Sequence, residues 1–130
     1  MSDLRPVGTS VNFDGVEREF LFTFNVLDEL EDYFGKPILE TLKDITNLED
    51  RKTMRKVVQV LVNDDVERYN LIHPDKREKV SEQYVGMFLT RDLHGGNSID
   101  MMGKIVEAYH ISFPDVDEDS PKVESGQQKT

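Results

Sequence analysis

The feature that most constrains this chain is one Asp14-Gly15 pair set between two short runs of alternating apolar residues, after which the apolar residues fall at helical spacing. Asp-Gly is among the strongest two-residue hairpin turns because both positions accept a positive φ. Val11 and Phe13 alternate on one side of the first run, and Phe20 and Phe22 do so near the end of the second. Such a hairpin carries an apolar face and is marginal alone in water. Helices must cover it.

Their boundaries can be read from capping chemistry. Asn25 suits the N-cap of a first helix, with Asp28, Glu29 and Glu31 near its positive end and Leu27, Leu30 and Phe34 at 3–4 spacing. Gly35 supplies a left-handed stop, and Pro37 fits the first turn of a short second helix carrying Ile38, Leu39, Leu42 and Ile45. Asn47, with Asp50 three residues on, reads as the N-cap of a third helix reaching about Val62, with Val57, Val58, Leu61 and Val62 as its apolar stripe. Arg51, Lys52, Arg55 and Lys56 form its solvated flank. Residues 63–79 are densely charged and contain Pro74, so they read as a loop with room for one helical turn. Ser81 caps a fourth helix with Tyr84, Val85, Phe88 and Leu89 on one side, and His94-Gly95-Gly96-Asn97 closes it in a turn. The last helix runs from about Ser98 to Ile111, capped by Asn97 or Ser98, with Ile99, Met102, Ile105, Val106 and Tyr109 apolar.

The expected fold is α+β and mainly α: an N-terminal β-hairpin followed by about five helices, all within residues 9–113. Residues 1–8 read as a flexible arm. From residue 114 the sequence becomes PDVDEDSPKVESGQQKT, with five carboxylates and valine as its only apolar side chain. That composition cannot bury enough surface to offset its ordering entropy, and it predicts a disordered acidic tail over residues 114–130.

At 130 residues the chain is the size of one domain. It lacks cysteine, which excludes disulfides, thiolate zinc sites and cysteine nucleophiles. Its 16 Lys and Arg against 26 Asp and Glu give a formal net charge of −10, which opposes nucleic-acid binding because that affinity comes from cationic side chains. No stretch has the roughly 18 apolar residues of a membrane span, and MSDLRPVGTS lacks the apolar core of a secretion signal. A cytosolic location is expected.

Few residues carry the signature of chemistry. His73, His94 and His110 lie far apart, with no i, i+4 metal pair among them, and they read as surface or turn residues. His94-Gly95-Gly96 matches the oxyanion loop of some lipases, but no Gly-x-Ser-x-Gly elbow accompanies it. Phosphate-cradling and dinucleotide glycine loops are absent. The carboxylates fall largely on solvated faces beside Lys or Arg. Asp115, Asp117, Glu118 and Asp119 lack the glycine and terminal glutamate of an EF-hand loop. No catalytic residue, metal or cofactor is therefore assigned. His73-Pro74-Asp75-Lys76 resembles the His-Pro-Asp tripeptide of J-domains, which stimulates the ATPase of a heat-shock chaperone from a loop between two antiparallel helices. The approach here, Asn63-Asp64-Asp65-Val66-Glu67-Arg68, is acidic where J-domains present a basic helix face.

A longer resemblance spans residues 11–114. The hairpin with Asp14-Gly15 at its turn, followed by FTFNVLDELEDYFGKPILETL, is similar to the tail assembly chaperones of long-tailed bacteriophages and prophages. In that family an aromatic-rich strand end enters a first helix at an Asn, and a Phe-Gly-Lys-like break precedes the second. Phe24-Asn25, Leu27, Leu30, Phe34-Gly35-Lys36 and Ile38 sit accordingly. SEQYVGMFL and the segment ending at Ser112-Phe113-Pro114 resemble the family's C-terminal helices. The resemblance implies a non-enzymatic protein of the host bacterial cytoplasm, absent from the mature virion, that binds the tape-measure protein and the tail-tube protein. It implies a frameshifted longer form of the same gene as a further partner, and it is compatible with an oligomer. Binding of that kind requires exposed apolar surface. Val60, Met87 and Met101 are the candidate partner-binding residues, each being an apolar residue beyond what one core face of its helix needs.

Overall fold

The computed structural model describes residues 8–46, 50–91 and 97–114, with the side chains of Asn97 and Ser98 excepted. Two antiparallel strands, β1 (Thr9–Phe13) and β2 (Val16–Phe20), precede five helices: α1 (Phe24–Phe34), α2 (Ile38–Ile45), α3 (Arg51–Ile72), α4 (Glu82–Arg91) and α5 (Asn97–Ser112). The expected architecture is the observed one. The expected tail, from residue 115 on, and residues 1–7 of the expected arm lie outside the described residues.

Asp14 and Gly15 both take positive φ, 54° and 83°, so the turn is of type I′ and pairs Phe13 with Val16. Register then alternates every side chain of the hairpin between two faces. Thr9, Val11 and Phe13 point inward from β1, and Arg18 and Phe20 from β2. Phe22, just past β2, is buried with them.

The helices cover this face around α3, which packs on α1, α2, α4 and β2. Because α3 is enclosed from several directions, its buried set extends beyond one stripe: Val57, Val58, Leu61 and Val62 are joined by Met54, Val60 and Val66. In α5 the buried residues are Met101, Ile105, Ala108 and Tyr109, whereas Ile99 faces solvent. The stripe is thus rotated from the expected one, and Met101 rather than Ile99 begins it.

Four boundaries differ from their sequence expectation. The N-cap of α1 is Thr23, not Asn25: the Thr23 hydroxyl accepts the Val26 N–H at 3.2 Å and donates to Asp64 Oδ1 at 3.0 Å. Pro37 is the N-cap of α2 rather than a residue of its first turn, and Glu31 Oε2 takes the Ile38 N–H at 3.0 Å. The largest difference is α3, which continues to Ile72 instead of ending near Val62. Its dense charges are not loop solvation, since Asp64 and Asp65 turn inward onto the hairpin and Asn63 bonds the backbone of Val80 in both directions. The helix ends at Ile72, two residues before Pro74, and His73 between them is extended at ψ 143°. The N-cap of α3 is Asp50 rather than Asn47: the helix starts at Arg51, and Asp50 Oδ1 accepts the Thr53 N–H. Two caps match their reading: Gly35 ends α1 at φ 70°, and Ser81 Oγ accepts the Tyr84 N–H. Asn47 and the turn at His94 lie outside the described residues.

Candidate functional site

A two-stranded sheet has two free edges, and on β2 the free edge is closed by side chains of α3. The two-residue turn makes Phe13–Val16, Val11–Arg18 and Thr9–Phe20 the hydrogen-bonded pairs, so the backbone of Glu19 points away from β1. Its N–H donates to Asp65 Oδ1 at 3.0 Å, and its carbonyl accepts from Arg68 Nη2 at 2.8 Å. Asp65 and Arg68 thereby stand where a third strand would bond. Arg68 also donates from Nη1 to Glu19 Oε1 at 2.7 Å and from Nε to Asp64 Oδ2 at 2.8 Å. Gly8 N–H reaches Glu19 Oε2 at 3.0 Å.

Behind this edge, Arg18 projects inward from β2 and meets Asp65, which is itself buried. Asp65 Oδ2 lies 3.6 Å from Arg18 Nη1 and 3.9 Å from Arg77 Nη1. Burial lowers the pKa of the Arg18 guanidinium from its ordinary value, Asp65 opposes that shift and Arg77 adds to it. The carboxylates at 64 and 65 therefore do not belong to a solvated face, contrary to the sequence reading. A cavity of about 350 Å³ opens here, lined by Ser10, Glu17, Arg18, Asp65, Tyr69 and Arg77 among others.

The His73-Pro74-Asp75 segment is folded back on the last turns of α3. The His73 ring stacks on the Tyr69 ring at 3.8 Å with planes 7° apart, and the Arg77 guanidinium lies 3.8 Å from the Tyr69 ring. Tyr69 donates its hydroxyl hydrogen to Asp75 Oδ2 at 2.7 Å. Lys76 Nζ donates to the carbonyls of Asn70 and His73, which satisfies the helix end. The tripeptide does begin a loop between two packed helices, α3 and α4, as in the J-domain resemblance. The exposed side of the preceding turns carries Glu67, Leu71 and Ile72 in place of a basic face.

The bond to Tyr69 is the main reason that Asp75 titrates below the ordinary value of 3.8, and the same bond raises Tyr69. A lowered carboxyl pKa means the tether is fully formed above the ordinary carboxylate value and is lost as pH falls through the lowered one. A carbon-detected NMR titration should place the Asp75 midpoint below 3.8; a midpoint at or above it would contradict the tether.

The three candidate partner-binding residues do not come together. Met87 stands on the outside of α4, 70% exposed. Val60 and Met101 are taken up by the core, at 3% and 1%, because neighbours surround α3 on the side assigned to solvent and α5 is rotated. They are corrected to packing residues. The sequence reading missed the most exposed apolar side chains: Leu71 and Ile72 in the last turn of α3, at 84% and 77%, and Phe24 at the start of α1, at 80%. The signal for Leu71 and Ile72 is their place immediately before His73-Pro74, which a loop over residues 63–79 conceals. An N-cap at Asn25 likewise leaves Phe24 outside the helix.

His110 lies exposed on α5 beside Tyr109, and His94 and the acidic group at 115–119 lie outside the described residues. Among the described residues no group of three or more His, Asp or Glu side chains could hold a metal ion, and no helix is long and apolar enough to cross a membrane. Compared with known protein families, curated proteins and solved structures, the chain matches none.

Proposed function

We propose that this protein is a non-enzymatic assembly chaperone of the phage-tail type, which shields apolar segments of the tape-measure protein and of tail-tube subunits before they polymerise. The observation that supports it best is the presence of Leu71, Ile72, Phe24 and Met87 in solvent around a core already filled by other residues. Single exposed apolar side chains are ordinary, but an adjacent Leu-Ile pair more than three-quarters exposed at a helix end is the kind of surface that a partner covers. The methionine supplies an adaptable contact of the sort that tolerates varied partner sequences. The net charge of −10 keeps such a surface soluble while unoccupied.

Co-expression with a tape-measure fragment and, separately, with a tail-tube subunit tests the reading. The wild-type chain should be recovered with each partner. Leu71→Ser with Ile72→Ser should reduce recovery about tenfold or more, as expected when central apolar anchors are truncated, and Met87→Ser should reduce it less. All variants should keep the wild-type circular dichroism, since none of these side chains is in the core. Failure of the wild type to capture either partner, or capture untouched by every substitution, would remove the support.

A further inference from the structure

The first two turns of α3 carry four cations, Arg51, Lys52, Arg55 and Lys56, in a chain whose formal net charge is −10. Elsewhere Arg18, Lys36, Arg68, Arg77, Lys79 and Arg91 each have a carboxylate within ion-pair distance. Among the described residues none of the four does. Their arrangement also works against the helix that holds them. Arg51 with Arg55 and Lys52 with Lys56 stand at i, i+4, where like charges repel. Arg51 and Lys52 lie in the first turn, whose backbone end is already positive and which contains no acidic residue, and the Asp50 carboxylate before it is engaged by the Thr53 N–H.

Neutral neighbours on two helices hold the strip in place. Lys56 lies over the Tyr33 ring of α1, 4.5 Å from its centroid, and donates to Gln59 Oε1 at 3.2 Å. Arg55 runs along Gly86 of α4, where a Cβ would come within 3.1 Å of its Cδ. Both side chains are thus positioned before any partner arrives, while Arg51 and Lys52 extend into solvent. The result is a preformed positive surface without a counter-charge of its own. It is separate from the exposed apolar pair, since Arg55 and Leu71 are roughly 24 Å apart along the axis of α3.

We propose that this strip is a docking surface for an acidic segment of a partner protein, whose carboxylates pair with Arg51, Lys52, Arg55 and Lys56. Such a segment removes both unfavourable terms at once, because it supplies negative charge to the repelling cations and to the positive end of the helix. Arginine adds geometry to charge, since its planar fork matches the two oxygens of a carboxylate. A polypeptide fits better than a nucleic acid. A phosphate backbone is a long run of negative charge that would also meet the acidic remainder of the chain, whereas a short segment with a few carboxylates engages the strip alone. The surface does not depend on the chaperone reading.

Amide NMR of the full chain tests it, with a blocked Glu-Gly-Glu-Gly-Glu peptide and its Gln counterpart titrated at low, constant ionic strength. The Glu peptide should move the signals of residues 51–56 saturably, and the Gln peptide should leave them in place. Arg51→Gln with Lys52→Gln should weaken the Glu peptide about fivefold or more, the loss expected for two exposed ion pairs. The charge-matched Lys79→Gln with Lys104→Gln should not weaken it. Both replaced residues at 51 and 52 are exposed, so the fold is safe, and the variant should unfold at an equal or higher urea concentration because repulsion is relieved. A lowered midpoint would give these cations a structural role and overturn the proposal. So would a chain that the Glu peptide does not move, or a response unchanged in Arg51→Gln with Lys52→Gln. Three further results would assign the strip to another occupant and overturn it equally. These are a single-stranded oligonucleotide of equal charge that binds as tightly, peptide affinity raised about tenfold when Asp115, Asp117, Glu118 and Asp119 are neutralised in the full chain, and a wild-type dimer that Arg51→Gln with Lys52→Gln dissociates.

Discussion

Asp65→Ala is expected to destabilise the fold by about 3–5 kcal/mol, the range for breaking a buried ion pair from one side. Two losses combine. Arg18 would stay buried without its counter-charge, and the Glu19 N–H on the free edge of β2 would lose its acceptor. Native stabilities are about 5–15 kcal/mol, so the change removes a large share of the total. Urea unfolding should show it as a midpoint lowered by more than about 1 M, given slopes of roughly 1–3 kcal/mol per molar for small domains. Adding Arg18→Met should restore part of the loss, since the uncompensated charge is then gone and only the unpaired Glu19 N–H remains, at about 1–3 kcal/mol. A double variant no more stable than Asp65→Ala would show that the Arg18 charge is not what makes Asp65 costly to remove.

The same residue marks where the sequence could be read and where it could not. The hairpin was legible because Asp14-Gly15 admits few alternatives, and Gly35 and Ser81 announced their caps by chemistry that acts within three or four residues. Residues 63–72 failed this local test. Their carboxylates looked solvated, and whether Asp64 and Asp65 face water or a strand depends on β2, more than forty residues away in the chain. One clue was available: the alternation that turns Phe20 inward also turns Arg18 inward, and an inward arginine requires a buried acceptor. The Asp64–Arg68 pair at i, i+4 was a second, since that spacing makes an ion pair only if the helix continues. Val60 and Met101 were misplaced for a different reason. A helical wheel gives the phase of one helix and says nothing of how many neighbours surround it, and α3 is packed on several sides.

The candidate site shares this division. Met87 could be found from α4 alone because that helix spends one face on the core. The Arg18–Asp65–Arg77 cavity could not, since its three charged groups come from a strand, a helix and a loop that only the tertiary fold brings within 4 Å.

Phe13→Ala should have an effect of similar size by a different mechanism, about 3–5 kcal/mol, as observed for aromatic truncation in cores. Phe13 is 1% exposed, its ring centroid is 4.3 Å from that of Phe88 in a tilted contact, and Tyr84 meets it edge-on at 6.0 Å. Truncation leaves a cavity between β1 and α4 that neither backbone can close, because the type I′ turn fixes the strand and the Ser81 cap fixes the start of the helix. Phe13→Leu, which keeps most of the volume, should cost clearly less. Hydrogen exchange separates local from global loss. A two-stranded hairpin is not stable alone, so its amides in residues 9–20 should exchange faster in Phe13→Ala in step with the global unfolding free energy. Hairpin amides that keep wild-type protection while the helices lose theirs would mean that β1 and β2 hold through the Glu19–Asp65–Arg68 edge rather than through aromatic packing. The ion cluster, not the Phe13 contact, would then be what joins the sheet to the helices.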